Sequence, residues 1–379
     1  MFRIFTGKAF WLYLVLIMLV LSLFSFAQFG PSSTAKVKGL KVALVNEDQG
    51  PQGKTIQSKL QDSFSKKDSP IKLVKVSSSH AAKKALDNKE YYGAVIIPEH
   101  FTNQLASLQT PKPQPAQIEF WINQGMNAQA ANIVQTILNK VSLKLNTNIS
   151  NTLFQALDMK KMTLTSAQAK VINHPIVAET HLMNKVGSHS AGGNAPVLLT
   201  MLVWLGGLIS SLLMWRTSRK IGGGTLSLRL IIGQVLAGFV LSIAQAMILY
   251  AVVSGLMDLH VPNSWNLIVT LTFSAFVYYL LQTMILNWLG LAGWPIIIFV
   301  WFYGSPLLPY PPEMLNSFFH YWVYSWVPVR FGMEMIKDVL YFGGKADLWT
   351  MVSILGYTGL GALAAVLACG WWKRKRKTA

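Results

Sequence analysis

Charge and cysteine are both scarce in this chain of 379 residues. Only 13% of the residues are charged, and the one cysteine is Cys369. A single cysteine excludes an internal disulfide, so any water-soluble part must be held together by its own apolar core. The chain also lacks the Gly-x-x-x-x-Gly-Lys-Ser/Thr loop that cradles nucleotide phosphates. We recognise neither a Ser–His–Asp catalytic triad nor a pair of catalytic carboxylates in the sequence. We therefore expect no catalytic residue and no cofactor bound by this chain.

Long apolar runs are what the chain has instead. Six of them carry no charged residue in their cores: Phe10–Gln28, Val197–Trp215, Leu230–Gly255, Trp265–Leu286, Trp288–Tyr303 and Trp349–Trp372. Most reach the roughly 20 apolar residues that a helix needs to cross ~30 Å of hydrocarbon. The sequence therefore predicts a polytopic α-helical membrane protein with six transmembrane helices. Proton-driven pumps usually place ionisable groups at membrane depth, and none lies in these runs, which argues against a self-powered transporter.

Lys and Arg residues indicate the orientation. They cluster before the first run (Arg3, Lys8), between the second and third (Arg216, Arg219, Lys220, Arg229) and after the sixth (Lys373–Lys377). The positive-inside rule then places both termini in the cytoplasm and residues 29–195 outside the cell. The last cluster is typical of a helix anchored to anionic membrane lipids. An alternative is signal-peptidase cleavage after Ser25-Phe26-Ala27, which would leave the other five spans with the same orientation.

The net charge of +18 could suggest a nucleic-acid partner, but its distribution argues otherwise. Eleven of the cations lie in the three membrane-flanking clusters. Residues 29–195 contain 19 Lys, no Arg and 10 acidic residues. A Lys-only surface suits a solvated domain near an anionic membrane or cell wall, and it lacks the planar forks with which Arg recognises phosphate. We expect no nucleic-acid partner.

Residues 29–195 are predicted to form an extracellular α/β domain. Short β-type runs alternate with amphipathic helical segments. A long helix is expected from Asn127 to Leu157, where apolar residues recur every fourth position from Ile133 to Leu153. That stripe drifts around the helix, so it must wrap its partner or break. A second helical segment is expected over residues 163–186, interrupted at Pro175, and the two helices are predicted to form a stalk. The predicted domains are residues 1–28, 29–195 and 196–379.

Two groups of polar residues in this domain are candidates for a catalytic or metal-binding site, but their sequence context argues against both. Glu47 and Asp48 follow the first β-type run, where an acidic turn is more typical of structure than of catalysis. His174, His181 and His189 lie seven and eight residues apart, but Pro175 and a Gly-rich segment spoil the helical spacing. We therefore expect no metal site.

Three segments together resemble a known family. They are Lys41–Gly50 (a valine-rich run ending in Asn-Glu-Asp), Gly93–Phe101 (an apolar run ending in Ile-Pro-Glu-His-Phe), and a Pro-rich stretch that runs from Pro306 through Trp326-Val327-Pro328 to Glu334. In this order they resemble the membrane subunits of type-2 (type V) bacterial ABC exporters. The subgroup with a large external insert, related to the YhgE/Pip membrane proteins, is the most similar.

The resemblance implies a dimeric permease subunit without its own ATP-binding motif. A separate cytoplasmic ABC ATPase would hydrolyse ATP, and a second copy or a homologous permease would complete an exporter of an amphipathic or lipid-like substrate, drug or peptide. The basic link would hold a coupling helix that docks on the ATPase, with the residues Arg216, Arg219, Lys220, Gly222, Gly223, Gly224 and Arg229. Anchoring by the positive-inside rule explains the same cations equally well.

Two further sets of residues are candidates for an outer re-entrant region and for a transport path. The resemblance implies an outer re-entrant region comprising Pro306, Trp322, Trp326, Pro328, Arg330 and Glu334. Six aromatic rings within Phe318–Trp326 predict a segment at the outer membrane interface, with packing against the external domain as the alternative. Gln234, Gln245 and Gln282 lie inside the apolar runs, where they either bond neighbouring helices or line a transport path. A different class also remains open: a cell-surface receptor or secretion-accessory scaffold that transports nothing.

Overall fold

The computed structural model describes residues 8–159, 161 and 163–378. Arg3 lies outside the described residues, as do the side chains of Lys8 and of Lys373–Lys377. The elements in chain order are α1 (Lys8–Thr34), β1 (Leu40–Asn46), α2 (Pro51–Ser63), β2 (Ile71–Lys75), α3 (Ser79–Asp87), β3 (Gly93–Ile97), α4 (Phe101–Ser107), β4 (Ala116–Asn123), α5 (Ala128–Met159), α6 (Ser166–Ile172), β5 (Ile176–Met183), α7 (Ala195–Ile221), α8 (Leu228–Tyr250), α9 (Ser264–Leu289), α10 (Trp294–Gly304), α11 (Pro328–Tyr341) and α12 (Leu348–Thr378). The chain forms two compact units: Val37–Gly193, and the segments on either side of it.

The unit Val37–Gly193 is an α/β domain built on a five-stranded sheet. The strand order is β2-β1-β3-β4-β5. β1 is parallel to β2 and β3, β4 is antiparallel to β3, and β5 is parallel to β4. β3 is buried along its whole length, as expected of a central strand covered on both faces. α3 packs on one face around Ala82 and Leu86, while α5 packs against β4 and β5.

The expectation of a second helix over residues 163–186 is wrong for its second half. α6 ends at Ile172, and the chain then forms β5, which pairs with β4 from Ala116↔Ile176 to Asn123↔Met183. Pro175 ends the helix but also starts the strand, since its carbonyl accepts a hydrogen bond from the Ala116 amide at 2.8 Å. This segment is therefore part of the sheet and does not form the predicted stalk.

The second unit is a bundle of apolar helices. Five helical stretches are long and apolar enough to cross a membrane: Val15–Thr34, Ala195–Ile221, Leu228–Leu256, Ser264–Leu307 and Leu348–Trp371. They confirm a polytopic helical membrane protein. The fourth stretch combines two of the predicted spans, which a 3-10 turn at Gly290–Gly293 divides into α9 and α10. The second of them begins at Trp294 and not at Trp288, because Gly290 has a φ of 63° and ends α9.

The segment between α10 and α11 is irregular and partly buried. A 3-10 turn at Ser305–Leu307, another at Pro312–Met314 and a π-helical turn at Phe318–Tyr324 follow α10. Phe319, Val323 and Tyr324 pack with Ala27 of α1 and Tyr303 of α10 in one apolar cluster. This cluster fixes the C-terminal half of α1 beside the end of α10.

Candidate functional site

The predicted coupling residues form a helical hairpin. Arg216, Arg219 and Lys220 lie on the last turns of α7, Arg229 lies on the first turn of α8, and all four are exposed. The non-helical link is only residues 222–227, so the basic residues proposed for the coupling helix lie on the ends of α7 and α8. Cations near a helix C-terminus favour the helical state, which lets α7 continue through the basic residues.

Glycine makes this tight link possible. The Gly222 amide donates to Ser218 O at 3.0 Å, and the Gly224 amide donates to Arg219 O at 2.8 Å. Gly223 and Gly224 have φ values of 57° and 87°, in the left-handed region that only glycine adopts without strain. Ser227 then caps α8 by accepting from the Leu230 amide at 3.4 Å. The link is therefore a hydrogen-bonded turn that joins the two helices closely.

Four helix ends meet at this hairpin. A Cβ placed on Gly290, after α9, would lie 3.6 Å from the Trp215 ring of α7. The Cys369 thiol of α12 donates to Asn287 O of α9 at 3.4 Å, and a Cβ on Gly370 would lie 2.8 Å from Ile231 of α8. The C-terminal ends of α7, α9 and α12 thus share one end of the bundle with the N-terminus of α8. We call this region the basic end.

The cations of the basic end are available to a partner. Among the ion pairs that described residues form with each other, none involves Arg216, Arg219, Lys220 or Arg229. The Arg219 guanidinium lies 5.1 Å from the centroid of the Trp215 ring, so its side chain rests on a buried aromatic group. Such a surface can pair with carboxylates of a protein or with anionic lipid headgroups.

Two of the three glutamines predicted to line a transport path donate hydrogen bonds to backbone carbonyls of α7. Gln282 of α9 donates to Trp204 O at 3.2 Å. Gln245 of α8 donates to Leu202 O and Val203 O, both at 3.1 Å. A Cβ on Gly206 would overlap the Gln245 amide, so glycine at this position permits the close approach.

The third glutamine belongs to a separate contact between α8 and α9. Gln234 Oε1 accepts from Asn287 Nδ2 at 3.0 Å, and the Tyr279 hydroxyl donates to Gln234 O at 2.8 Å. The three glutamines therefore do not form one polar row. Each makes a helix–helix hydrogen bond, and a path along them would require these bonds to open.

The predicted outer residues divide into an exposed and a half-buried group. Trp322 and Trp326 are 73% and 51% exposed on the same face as Phe318. Pro306 lies in the 3-10 turn that follows α10, and Pro328 is the first residue of α11. The aromatic face is thus uncovered within the chain, as an interfacial segment requires.

Arg330 and Glu334 turn inward. Arg330 Nη1 donates to Tyr324 O at 3.1 Å, and the guanidinium lies 4.4 Å from the Tyr324 ring centroid. Glu334 pairs with Lys337 at 2.6 Å. Burial raises the pKa of the Tyr324 hydroxyl, and Glu334 raises it further, while Arg330 opposes them. This hydroxyl therefore stays protonated at neutral pH.

The acidic turn after β1 caps helices, which is the kind of structural role that its position at the end of a strand favoured. Asp48 is 4% exposed, and its carboxylate accepts from the amides of Gly53 and Thr102, both at 3.1 Å. These amides lie in the first turns of α2 and α4, neither of which has a capping side chain of its own. Glu47 accepts from the Ser79 amide at 2.8 Å, at the start of α3. The double capping by Asp48 could not be read from the sequence, because Asp48 and Thr102 are 54 residues apart.

The histidines do not come together. His181 of β5 stacks on Trp121 of β4 with 4.4 Å between ring centroids. Within the described residues, no group of three His, Cys, Asp or Glu side chains is placed to hold a metal ion.

Comparison with known proteins agrees with this architecture. The sequence model of the ABC-2 family transporter proteins matches residues 8–371, so the chain belongs to that family. It is therefore an ABC-2 type permease, the membrane component of a transporter and not the ATPase, and membership implies partnership with an ABC ATPase subunit.

The other comparisons add little to this assignment. No curated protein matches the chain. Among solved structures, a domain provisionally assigned to an ABC type-2 transporter from Thermotoga maritima MSB8 is 18% identical. The match covers 38% of this chain and 86% of that one with a TM-score of 0.25, which is too low to support a structural conclusion.

Proposed function

We propose that this chain is one half of a dimeric bacterial exporter with six membrane spans, driven by ATP that a separate cytoplasmic subunit binds and hydrolyses. It moves an amphipathic or lipid-like substrate, drug or peptide outward. A second copy or a homologous permease completes the transporter. Within the family, the large insert supports placement in the subgroup related to the YhgE/Pip proteins.

The observation that carries the proposal is the basic end. Three helices finish there and α8 begins there, with four exposed cations on the adjoining ends of α7 and α8. The positive-inside rule places such an end in the cytoplasm, where an ATPase would dock.

The spans support a six-pass arrangement. The stretch Ser264–Leu307 has 44 residues, and a helix of that length would extend about 66 Å, twice the ~30 Å hydrocarbon thickness. Its break at Gly290–Gly293 lies at the basic end, so α9 runs inward and α10 runs outward. The packing of Ala27 of α1 against Tyr303 near the end of α10 supports an outward course for α1 and, with it, an extracellular α/β domain.

Charge reversal at the basic end tests the proposal. The full chain is reconstituted in sealed proteoliposomes with a candidate ABC ATPase, and ATP hydrolysis and transport of a fluorescent amphiphile are measured for the wild type and for Arg219→Glu/Lys220→Glu. We expect the double variant to insert correctly and to lose the coupling of ATP hydrolysis to export. Topology and surface level are checked in the same variant, because these cations also influence insertion.

The control is Lys66→Glu/Lys67→Glu in the α/β domain, which should leave coupling unchanged. A correctly inserted Arg219→Glu/Lys220→Glu protein that still co-purifies with its ATPase and exports normally would overturn the docking role. Failure of any ATPase to associate with the wild type would favour the receptor or scaffold class.

A further inference from the structure

The α/β domain contains two open grooves that adjoin each other. One, of about 470 Å³, lies between the C-terminal half of α2 and the middle of α5. The other, of about 370 Å³, lies between α2, α4 and the later part of α5. Lys59 and Asn148 line both, so the two grooves are direct neighbours. Each volume is within the ~300–1,000 Å³ that ligand sites typically occupy. We call the pair the α2–α5 trough.

The floor of the trough is apolar and includes part of the stripe that recurs every fourth residue on α5. Val141 and Leu145 line the first groove, and Ile149 and Leu153 line the second. The buried face of the first half of α5 consists of other residues, namely Ala130, Ala131, Val134 and Leu138. Because the stripe drifts around the helix, its later members leave the sheet and remain partly open in the trough.

The charges of the trough are mainly positive. Lys59 lies where the two grooves meet, and Lys144 lines the first. Asp62 is the only carboxylate among the described residues that line either groove. Among described residues, no ion pair involves Lys59 or Lys144. A trough with an apolar floor and free ammonium groups at its centre is complementary to a molecule with an apolar tail and an anionic head.

We propose that the α2–α5 trough binds a single-chain anionic amphiphile, with its head near Lys59 and Lys144 and its tail along Ile149 and Leu153. The inference rests on the proposed function, since the occupant is then the cargo held on the external domain. It narrows the substrate class from amphipathic compounds in general to acyl anions.

Protection of an engineered cysteine tests the site in the full chain. In a Cys369→Ser background, Asn148→Cys places a thiol inside the trough. Thr147→Cys places an exposed thiol one residue away that does not line it. The proteins are held in nanodiscs of zwitterionic lipid, and maleimide labelling rates are measured with dodecanoate below its micelle concentration. Dodecyltrimethylammonium, which has the same tail and a cationic head, serves as the matched probe.

We expect saturating dodecanoate to slow labelling at position 148 by about tenfold and at position 147 by less than about twofold. Lys59→Gln/Lys144→Gln should raise the dodecanoate concentration for half-protection about tenfold, which corresponds to about 1.4 kcal/mol. Lys54→Gln/Lys140→Gln, on the same helices outside the trough, should leave it unchanged. Thermal unfolding of each variant confirms that it is folded.

Equal slowing at both positions, or equal protection by the cationic probe, would overturn the proposal, as would unchanged protection in the folded Lys59→Gln/Lys144→Gln variant. The assay uses neither ATP nor the ATPase, so its failure leaves the permease role intact. Protection at position 148 in a chain that does not couple to an ATPase would instead retain the site and refute the exporter.

Discussion

Asp48 should raise the free energy of unfolding of the α/β domain by several kcal/mol, because its one carboxylate caps the first turns of two helices. The Asp48→Ala substitution leaves the buried amide of Gly53 and the part-buried amide of Thr102 without their acceptor and removes the 2.5 Å hydrogen bond from the Thr102 hydroxyl. A buried donor left unsatisfied costs about 1–3 kcal/mol. We therefore expect about 3–4 kcal/mol of destabilisation, a large part of the ~5–15 kcal/mol typical of a domain. Asp48→Asn keeps one acceptor oxygen and should cost about half as much.

Hydrogen exchange of the full chain, followed by mass spectrometry, resolves where this loss occurs. Amides of α2 and α4 should exchange about a hundredfold to a thousandfold faster in Asp48→Ala, since 1.4 kcal/mol corresponds to a factor of ten. Asp62→Ala, at an exposed carboxylate on α2 itself, is the matched control and should change exchange little. If Asp48→Ala and Asp62→Ala gave the same exchange in α2 and α4, the double-capping argument would be refuted.

Three further predictions address the membrane unit. In a cysteine-free background, Lys66→Cys should react with an impermeant maleimide in intact cells and Arg219→Cys should not; external labelling at position 219 would refute the orientation. Gly238→Ala should lower the thermal stability in detergent by about 1–3 kcal/mol, because its Cβ would overlap a tyrosine ring of α9, whereas Gly233→Ala, with open space around it, should be tolerated. Fluorescence of Trp322 should respond to depth-graded lipid quenchers near the headgroups, and insensitivity to them would rule out the interfacial position.

The patterns that the sequence revealed best are those set by composition over many residues. The apolar runs predicted helices close to those observed, and the alternation of β-type runs with helical segments predicted an α/β domain. β5 was missed because it is an edge strand with exposed residues on both faces, so Val177, Glu179 and Thr180 show no clean alternation. Its pairing with β4 is a tertiary contact that local propensity does not encode.

The polar contacts of the bundle show a similar division. Composition indicated that Gln234, Gln245 and Gln282 lie among apolar helices, but their partners are backbone carbonyls and an amide on other helices. The basic residues of the α7–α8 hairpin were found by charge alone. Whether they lie in a loop or on a helix depends on how far α7 continues, and the glycines after Ile221 determine that limit.

The position of β5 in the chain has a consequence for biosynthesis. β4 is complete at Asn123, but the strand that covers its open edge begins only at Ile176. At roughly 5–20 residues per second, about 50 residues of synthesis leave that edge unpaired for several seconds. An unpaired edge readily joins other extended chains, so the emerging domain needs shielding during this interval. Because α7 starts at Ala195, soon after β5 ends at Met183, closure of the sheet nearly coincides with the arrival of the next membrane helix. A delay in synthesising residues 176–195 would therefore hold back both closure of the sheet and arrival of α7.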